Sequence, residues 1–481
     1  MVSEDVRFDR DYVRRFGLYG FLKLAWPKIK PGTPFVPSWH IEEICKHLEA
    51  VSLGLITRLV INVPPGSTKS VTTSVCWPAF VWGPQGMANK KWIFASYAPK
   101  LSGDLGRDSR ELIESEWFQA RWPVQILDRA DTSYRNGKAG WRFSTSIRGE
   151  VTGRHADIQV VDDPIKPIST QGTAAVTGHE LQFVKDWWAG TMSTRMADPK
   201  TAARVIIMQR LHEDDLAGHV LESGEYTHLC FPMRFDPKHA CRTVFGGDRR
   251  TTDGELLCPP RWDEAEVVKL ENDLGVYASA QLQQRPSTAG GMIFKAAWFK
   301  YYDTLPEDLD EWACSWDMTF KDTMGSDYVC GQVWARKGAD YYLVERVYER
   351  LNFPNTLLAL QAQLRRFPQI GPKLIEDKAN GPAVIATLQR KVPGLVAVTP
   401  EGGKVARANG ISYLHRAGNV HYPRAFESDH SKTGHVQNMT GFPLAKHDDS
   451  VDAETQMLTH WSAQHNTLIE TLERLRKEQE L

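Results

Sequence analysis

Seven cysteines in 481 residues, odd in number and without one Cys-x-x-Cys pair, provide no disulfide framework; reduced thiols in a cytosolic setting are expected. No apolar run approaches the roughly 18 residues a membrane-spanning helix needs, so membrane insertion is not expected. The start, MVSEDVRFDRDYVRRFG, is charged throughout and lacks the apolar stretch and small-residue cleavage site of an export signal. A charge excess is missing too: 58 Lys and Arg face 59 Asp and Glu, a formal charge of -1, which removes the globally basic signature of many nucleic-acid binders. No internal repeat or low-complexity tract is evident.

What is present suffices for more than one core. A chain of 481 residues, 42% hydrophobic, exceeds the usual domain length of roughly 100 to 200 residues, so two or three domains are expected. Charge is balanced overall but not locally: residues 51–100 hold five basic residues and no acidic one. From Arg58 to about Met233, the β-branched runs RLVINV, KWIFASYA, DIQVVDD and ARVIIMQR alternate with helix-length segments, the rhythm of a parallel α/β sheet. Residues 234–300 lose that rhythm in a turn-rich stretch and predict a connector. Within it and just before it, His228, Cys230, His239, Cys241 and Cys258 would suffice in number for a zinc site, but His228 and Cys230 sit in the apolar run YTHLCFPM, where core packing accounts for them. From Trp312 onward, the runs ACSWDMTF, YVCGQVWA and YYLVERVY predict three consecutive antiparallel strands, followed by a helix around NTLLALQAQLRRF, strand KLIED, helix AVIATLQRKV and strand LVAVTP. That order predicts a ribonuclease-H-like mixed sheet. The expected division is therefore 1–233, 234–300, 301–462, and a charged end helix over 463–481.

Two constellations carry chemistry. RLVINV runs into PPGSTKS and then a helix, the strand-loop-helix context of a phosphate loop. The amides around Gly66, Ser67 and Thr68 would face phosphate, Lys69 would reach its oxygens and Ser70 would ligate magnesium. The pattern GxxxxGK[ST] wants glycine at Val63 and Thr68, and has neither. DIQVVDDP delivers Asp162 and Asp163 to a sheet edge, Asp162 for the metal and Asp163 to polarise the attacking water. Gln209 and Arg210 end ARVIIMQR, placed to sense a γ-phosphate. In the second module, Asp317 ends a strand, Glu376 ends the next one predicted beside it, and HDDSVDAE sets Asp448, Asp449 and Asp452 together, with Asp449 and Asp452 on one helical face. Carboxylates so gathered repel unless divalent cations neutralise them, which points to two-metal phosphodiester hydrolysis with Mg2+ or Mn2+.

Together and in this order, WHIEEICKHL, PPGSTKS, FASYAPKLSGDLGRDSRELI, TGRHADIQVVDDPIKP, VIIMQRLHEDDLAG, QLQQRP, SWD, IEDKANG and HDDSVDA resemble the large terminase subunit of tailed bacteriophages, over roughly residues 35–460. The resemblance implies an ASCE-type P-loop ATPase followed by a ribonuclease-H-like nuclease. ATP and magnesium would be bound by Lys69 and Ser70, the paired acids would be Asp162 and Asp163, and the nuclease acids would be Asp317, Glu376 and one or both of Asp449 and Asp452. Loop positions often Arg and Gly in the family are here Gly66 and Thr68. The resemblance further implies a DNA-packaging motor that moves double-stranded DNA into a procapsid, a homo-oligomer, pentameric on the portal protein, with a small terminase subunit as partner. Its location would be the host cytoplasm and, transiently, the portal vertex. Arg107, Arg110 and Arg210 are candidates for an arginine acting in a neighbouring subunit, and Lys404 and Arg407 of GGKVARA for contacts to DNA phosphates. The alternatives are a helicase-nuclease, which would want a second RecA-like module, and a non-catalytic assembly scaffold with degenerate sites.

Overall fold

Short runs of Val, Ile and Leu build the centre of the first sheet. The computed structural model describes residues 3–130, 132–151, 153–166, 178–286, 291–318, 328–377, 381–389, 392–429, 431 and 433–463. The chain divides into two compact units, Met1–Pro286 and Ser287–Leu481. In the first, strands β1 (Arg58–Asn62), β2 (Lys91–Ser96), β3 (Ile126–Arg129), β4 (Ser133–Asn136), β5 (Trp141–Ser146), β6 (Ile158–Asp162), β7 (Ala203–Met208) and β8 (Thr227–Cys230) form one sheet in the order β3-β4-β5-β2-β6-β7-β1-β8. From β5 to β8 every pairing is parallel; β3, β4 and β5 pair antiparallel at one edge.

Both faces of the parallel part are buried, which is why its strands read as continuous apolar runs. Leu59, Ile61, Phe94, Val160, Val205 and Ile207 face one core, shared with the helices Glu4–Ile29 and Trp39–Ser52. Val60, Ile93, Val161 and Ile206 face the other, packed by Leu181, Val184, Trp187 and Trp188 of the helix Gly178–Gly190. Leu257, Val267 and Leu282, from the turn-rich stretch after β8, lie in the first of these cores. That stretch also carries a two-residue hairpin, β9 (Arg242–Thr243) with β10 (Gly246–Gly247).

In the second unit, β11 (Lys300–Tyr302), β12 (Glu311–Asp317), β13 (Val329–Lys337), β14 (Asp340–Glu349), β15 (Lys373–Glu376), β16 (Leu395–Val398) and β17 (Val420–Pro423) form a mixed sheet in the order β11-β17-β14-β13-β12-β15-β16. The expected antiparallel trio is β12-β13-β14, and β15 runs parallel to β12. Alternation on β12 sends Cys314 and Trp316 into the core beneath the helix Phe353–Arg366, with Leu360, Ile370 and Ile375. It turns Ser315 and Asp317 to the opposite face. There the helix over 449–463 lies, tied down by Ser315 Oγ donating to the Ala453 carbonyl (2.7 Å) and Gln332 Nε2 to the Ser450 carbonyl (2.9 Å). The end helix expected over 463–481 lies, after residue 463, outside the described residues.

One close approach fixes the strand that carries Asp317. Gly331 of β13 pairs with Trp316, and a Cβ there would fall 2.4 Å from the indole. The same indole donates to Gln363 Oε1 (2.9 Å). Gly331→Ala is therefore expected to destabilise the second unit by about 1–3 kcal/mol through overpacking, read from the shift in its denaturant unfolding midpoint.

Candidate functional site

The parallel register brings the ends of β1, β7 and β6 side by side, Asn62 opposite Met208 and Ile207 opposite Asp162. Loops leaving these strands share the carboxyl edge of the sheet, where open α/β folds bind ligands. After β1, Val63 is buried in the core, so the first glycine of the pattern is replaced by a packing residue. Gly66 (φ 76°) and Thr68 (φ 65°) both take the left-handed conformation. For a β-branched side chain this costs about 1–2 kcal/mol, so the loop adopts at Thr68 the backbone shape that glycine would take without strain. The Thr68 carbonyl accepts from the Thr72 amide (3.1 Å) and hydroxyl (3.0 Å), starting a wider π-helical segment, Val71–Cys76.

Four of the expected side chains meet here. Lys69, buried, donates from Nζ to Asp163 Oδ1 (2.9 Å), which also accepts the Gln209 amide (3.1 Å). Ser70 Oγ donates to Asp162 Oδ1 and Ser74 Oγ to Asp162 Oδ2, each at 3.2 Å. Burial, and then the adjacent Asp163, push the Asp162 carboxyl up to about 7 against the pull of Lys69. Asp163 itself sits at φ 44°, its amide on the Ile207 carbonyl (3.0 Å) and its carbonyl on the Tyr97 amide (3.1 Å). Arg210 is held elsewhere: its Nε lies 3.0 Å from both carboxylate oxygens of Asp215, and its Nη2 donates to the His212 and Glu213 carbonyls. Arg107 pairs with Asp104 (2.7 Å), and Arg110 faces Glu114 (3.8 Å).

In the second unit Asp317, Asp449 and Asp452 are all buried. The Asp317 carboxyl is pushed well up by burial, then by Asp452, Asp449 and Glu376 in turn, which places the four acids in one electrostatic neighbourhood. Asp449 is raised to about 7, first by burial and then by Asp448, although the Tyr348 hydroxyl donates to it at 2.8 Å. Lys404 donates to Asp448 Oδ2 (2.7 Å) and pairs with Asp452, whose other oxygen accepts from Arg407 Nη2 (2.7 Å). Lys404 and Arg407, expected on DNA phosphates, thus lie against the acids. Among the described residues no three His, Cys, Asp or Glu side chains stand close enough to form a ready metal cage. The donor set still suits Mg2+ or Mn2+: hard carboxylate oxygens, buried and mutually repelling. In the zinc candidate group, His228 Nε2 meets Asn62 Oδ1 (2.8 Å), His239 Nδ1 meets Asp236 Oδ2 (2.9 Å) and Cys241 Sγ donates to the His228 carbonyl (3.3 Å).

Ser74 and Tyr348 were not singled out by the sequence. Ser74 lies four residues after Ser70, a spacing that shares a helical face and was available as a signal. Tyr348 approaches Asp449 from the far end of β14, which no local spacing reveals.

The family model of the terminase ribonuclease-H-like domain matches residues 314–460, a span that contains Asp317, Glu376, Asp449 and Asp452. Among solved structures, the large terminase of bacteriophage HK97 is similar over 92% of this chain and 98% of its own, at 10% identity and a TM-score of 0.53. A large terminase from a thermophilic bacteriophage is matched over 89% of this chain and 99% of its own, at 10% identity and a TM-score of 0.33. The large terminase nuclease of thermophilic phage G20c, with bound magnesium, is matched over 36% of this chain and 98% of its own, at 13% identity and a TM-score of 0.28. The HK97 likeness shows that the chain has the fold of a phage large terminase; the two lower scores add nothing to it. No curated protein sequence matches the chain. Among the described residues no helix is long and apolar enough to cross a membrane.

Two stability measurements test the loop. Thr68→Gly relieves the left-handed strain and adds about 0.5–1 kcal/mol of chain entropy cost, so the melting temperature of the first unit is expected to stay level or rise slightly. His40 lies against the loop, its Nε2 on the Ser67 carbonyl (3.3 Å), and is held down at about 4, chiefly by burial. The unfolded imidazole protonates first, near 6.5, so the stability of neutral His40 is complete above that pH and is lost progressively as pH falls from there to about 4. Unfolding free energy should therefore fall between pH 7.5 and 5, and His40→Asn should lose about 2 kcal/mol less over that interval.

Proposed function

We propose that this chain is the large subunit of a phage DNA-packaging motor, in which the first unit hydrolyses ATP to move double-stranded DNA and the second is a metal-dependent endonuclease that cuts concatemeric DNA. The observation that carries this is the match of residues 314–460 to the terminase nuclease family, with all four clustered acids inside the matched span. Support for the ATPase comes from the convergence of Lys69 and Ser70 on Asp163 and Asp162 at a sheet edge.

In the ATPase, Lys69 is the group that a nucleotide polyphosphate would recruit. Drawing its ammonium towards phosphate loosens the ion pair with Asp163 and leaves that carboxylate to accept a proton from the attacking water. The Gln209 amide keeps Asp163 aimed while this happens. Ser70 and Asp162 would hold a magnesium ion, which supplies charge neutralisation on the phosphates. In the nuclease, Asp317, Glu376, Asp449 and Asp452 would hold two Mg2+ or Mn2+ ions, which supply an activated water and stabilise the leaving oxygen. Tyr348 orients Asp449, and Lys404 and Arg407 neutralise the acids from the side facing their helix, Lys404–Ala417. The motor so described would work as a ring, a pentamer on the portal protein, with a small subunit delivering DNA, in the host cytoplasm and at the procapsid.

Paired variants separate the two activities. Lys69→Ala is expected to abolish ATP turnover while leaving manganese-dependent plasmid cutting intact, and Asp317→Ala to do the reverse. Loss of both activities in each variant would overturn the two-site assignment, and a chain inactive in both assays, with portal and small subunit added, would favour a scaffold.

A further inference from the structure

The phosphate loop has a neighbour outside its own strand-turn-helix that the mechanism above leaves unused. In the turn-rich stretch after β8, the amides of Arg261 and Trp262 both donate to the Cys258 carbonyl (2.9 and 3.0 Å), closing a turn. The next residue, Asp263, caps the helix Glu264–Leu274 reciprocally with Glu266: the Glu266 amide donates to Asp263 Oδ1 (2.9 Å) and the Asp263 amide to Glu266 Oε2 (3.1 Å). A turn closed at one end and capped at the other has a fixed direction, and this one ends against the loop. A Cβ on Gly66 would lie 3.0 Å from Trp262 Cζ2 and 3.7 Å from Arg261 Nη2.

The Arg261 guanidinium lies over the Trp262 ring, 5.0 Å from its centroid, a cation–π contact that restrains the charged group without using a hydrogen-bond acceptor. Two arginines impose their field on His40 under the loop, Arg250 and Arg261. Arg250 is committed: it pairs with Asp248 (2.7 Å) and donates to the carbonyls of Pro232, Met233 and Glu255. Arg261 is exposed and, among the described residues, has neither an acidic partner nor a side-chain hydrogen bond. A guanidinium stacked on an indole, left unneutralised, and standing next to the bare glycine at the crest of a phosphate loop has the chemistry of a polyphosphate contact.

We infer that Arg261 is a further nucleotide-binding residue, donating to the polyphosphate held by the loop, and that Trp262 positions it. Resting on the assignment of the first unit as an ATP site, this adds a wall to that site from the turn-rich stretch after β8. Gly66 is then required for space as well as for its left-handed backbone, since any side chain there would meet Trp262 first.

The test is calorimetric binding of magnesium–ATPγS and of inorganic tripolyphosphate to the full chain, unaltered and as Arg261→Ala, Arg261→Lys, Trp262→Leu and Lys69→Ala. Arg261→Ala is expected to weaken both ligands roughly ten- to hundredfold, the range for a charged hydrogen bond, with the unfolding midpoint unchanged because no ion pair is lost. Arg261→Lys should recover part of the affinity, and Trp262→Leu should lose less than Arg261→Ala. Unaltered affinity in Arg261→Ala, while Lys69→Ala is weakened, overturns the inference and leaves the nucleotide site standing. A loss for ATPγS without a loss for tripolyphosphate also overturns it, since the contact would then be to the base. Failure of the unaltered chain to bind either ligand overturns the nucleotide site and the inference together.

Discussion

Like-charged carboxylates buried at strand ends are the constraint around which both units are arranged. An isolated carboxylate moved out of water costs several kcal/mol, and a second one beside it costs more, so each must be met by a cation or by hydrogen-bond donors. The first unit answers with Lys69 on Asp163 and two hydroxyls, Ser70 and Ser74, on Asp162. The answer is partial, and Asp162 stays raised to about 7. In the second unit Lys404 and Arg407 converge on Asp452 and Asp448, while Asp317 is left with raised affinity for a proton. Groups in this condition favour any added positive charge, which is the physical basis for reading both places as cation sites.

The two sheets supply that condition by the same device. A strand buried on both faces has no solvated flank to receive a carboxylate, so the acid comes at the end of the run, where the edge of the sheet meets water. β6 is buried throughout and ends at Asp162. β12 is buried over its last five residues and ends at Asp317. On β12 the alternation separates tasks: Trp316 packs into the core and hydrogen-bonds Gln363, while its neighbour Asp317 faces the helix that carries Asp449 and Asp452. Rigidity on one face thus sets the geometry on the other.

These features were legible because they are local. β1, β2, β6 and β7 were visible as apolar runs, as were β12, β13 and β14, the last two joined by the turn RKGAD; Asp162, Asp317 and Glu376 each stood at the end of a run. The outer strands β3 and β4 were not visible, being four residues each with little apolar run: β3 is mostly exposed, and β4 buries only Tyr134 and Asn136. The phosphate loop was legible from context and illegible from consensus, because backbone shape rather than residue type defines it: Thr68 takes at some strain the conformation glycine takes freely. Arg210 stood at the right strand end, but Asp215, an acid five residues on that caps the helix Leu216–Leu221, holds its guanidinium. Lys404 read as a basic residue free for phosphate; its acids lie 44 and 48 residues further along, beyond any local pattern.

The balanced composition acquires meaning from these pairings. Several arginines are engaged within the chain: Arg234 with Glu264 and Glu271, Arg249 with Glu42 and Glu43, Arg366 with Glu345, Arg424 with Asp303 and Glu427. Each such pair weakens the long-range field that would otherwise attract phosphate at a distance, so a net charge near zero comes from matched numbers of cations and acids rather than from a shortage of cations. Attraction to nucleic acid grows with the number of phosphates neutralised, so it depends on where the remaining cations lie rather than on the net charge. For the proposed motor, any contact that holds a phosphate would have to be broken at every step, so binding strength would be spread over contacts that are individually weak. What distinguishes Arg261 is its place rather than its lack of an acidic partner: it lies over Trp262 and beside Gly66 of the phosphate loop, where an anion from outside the chain would arrive.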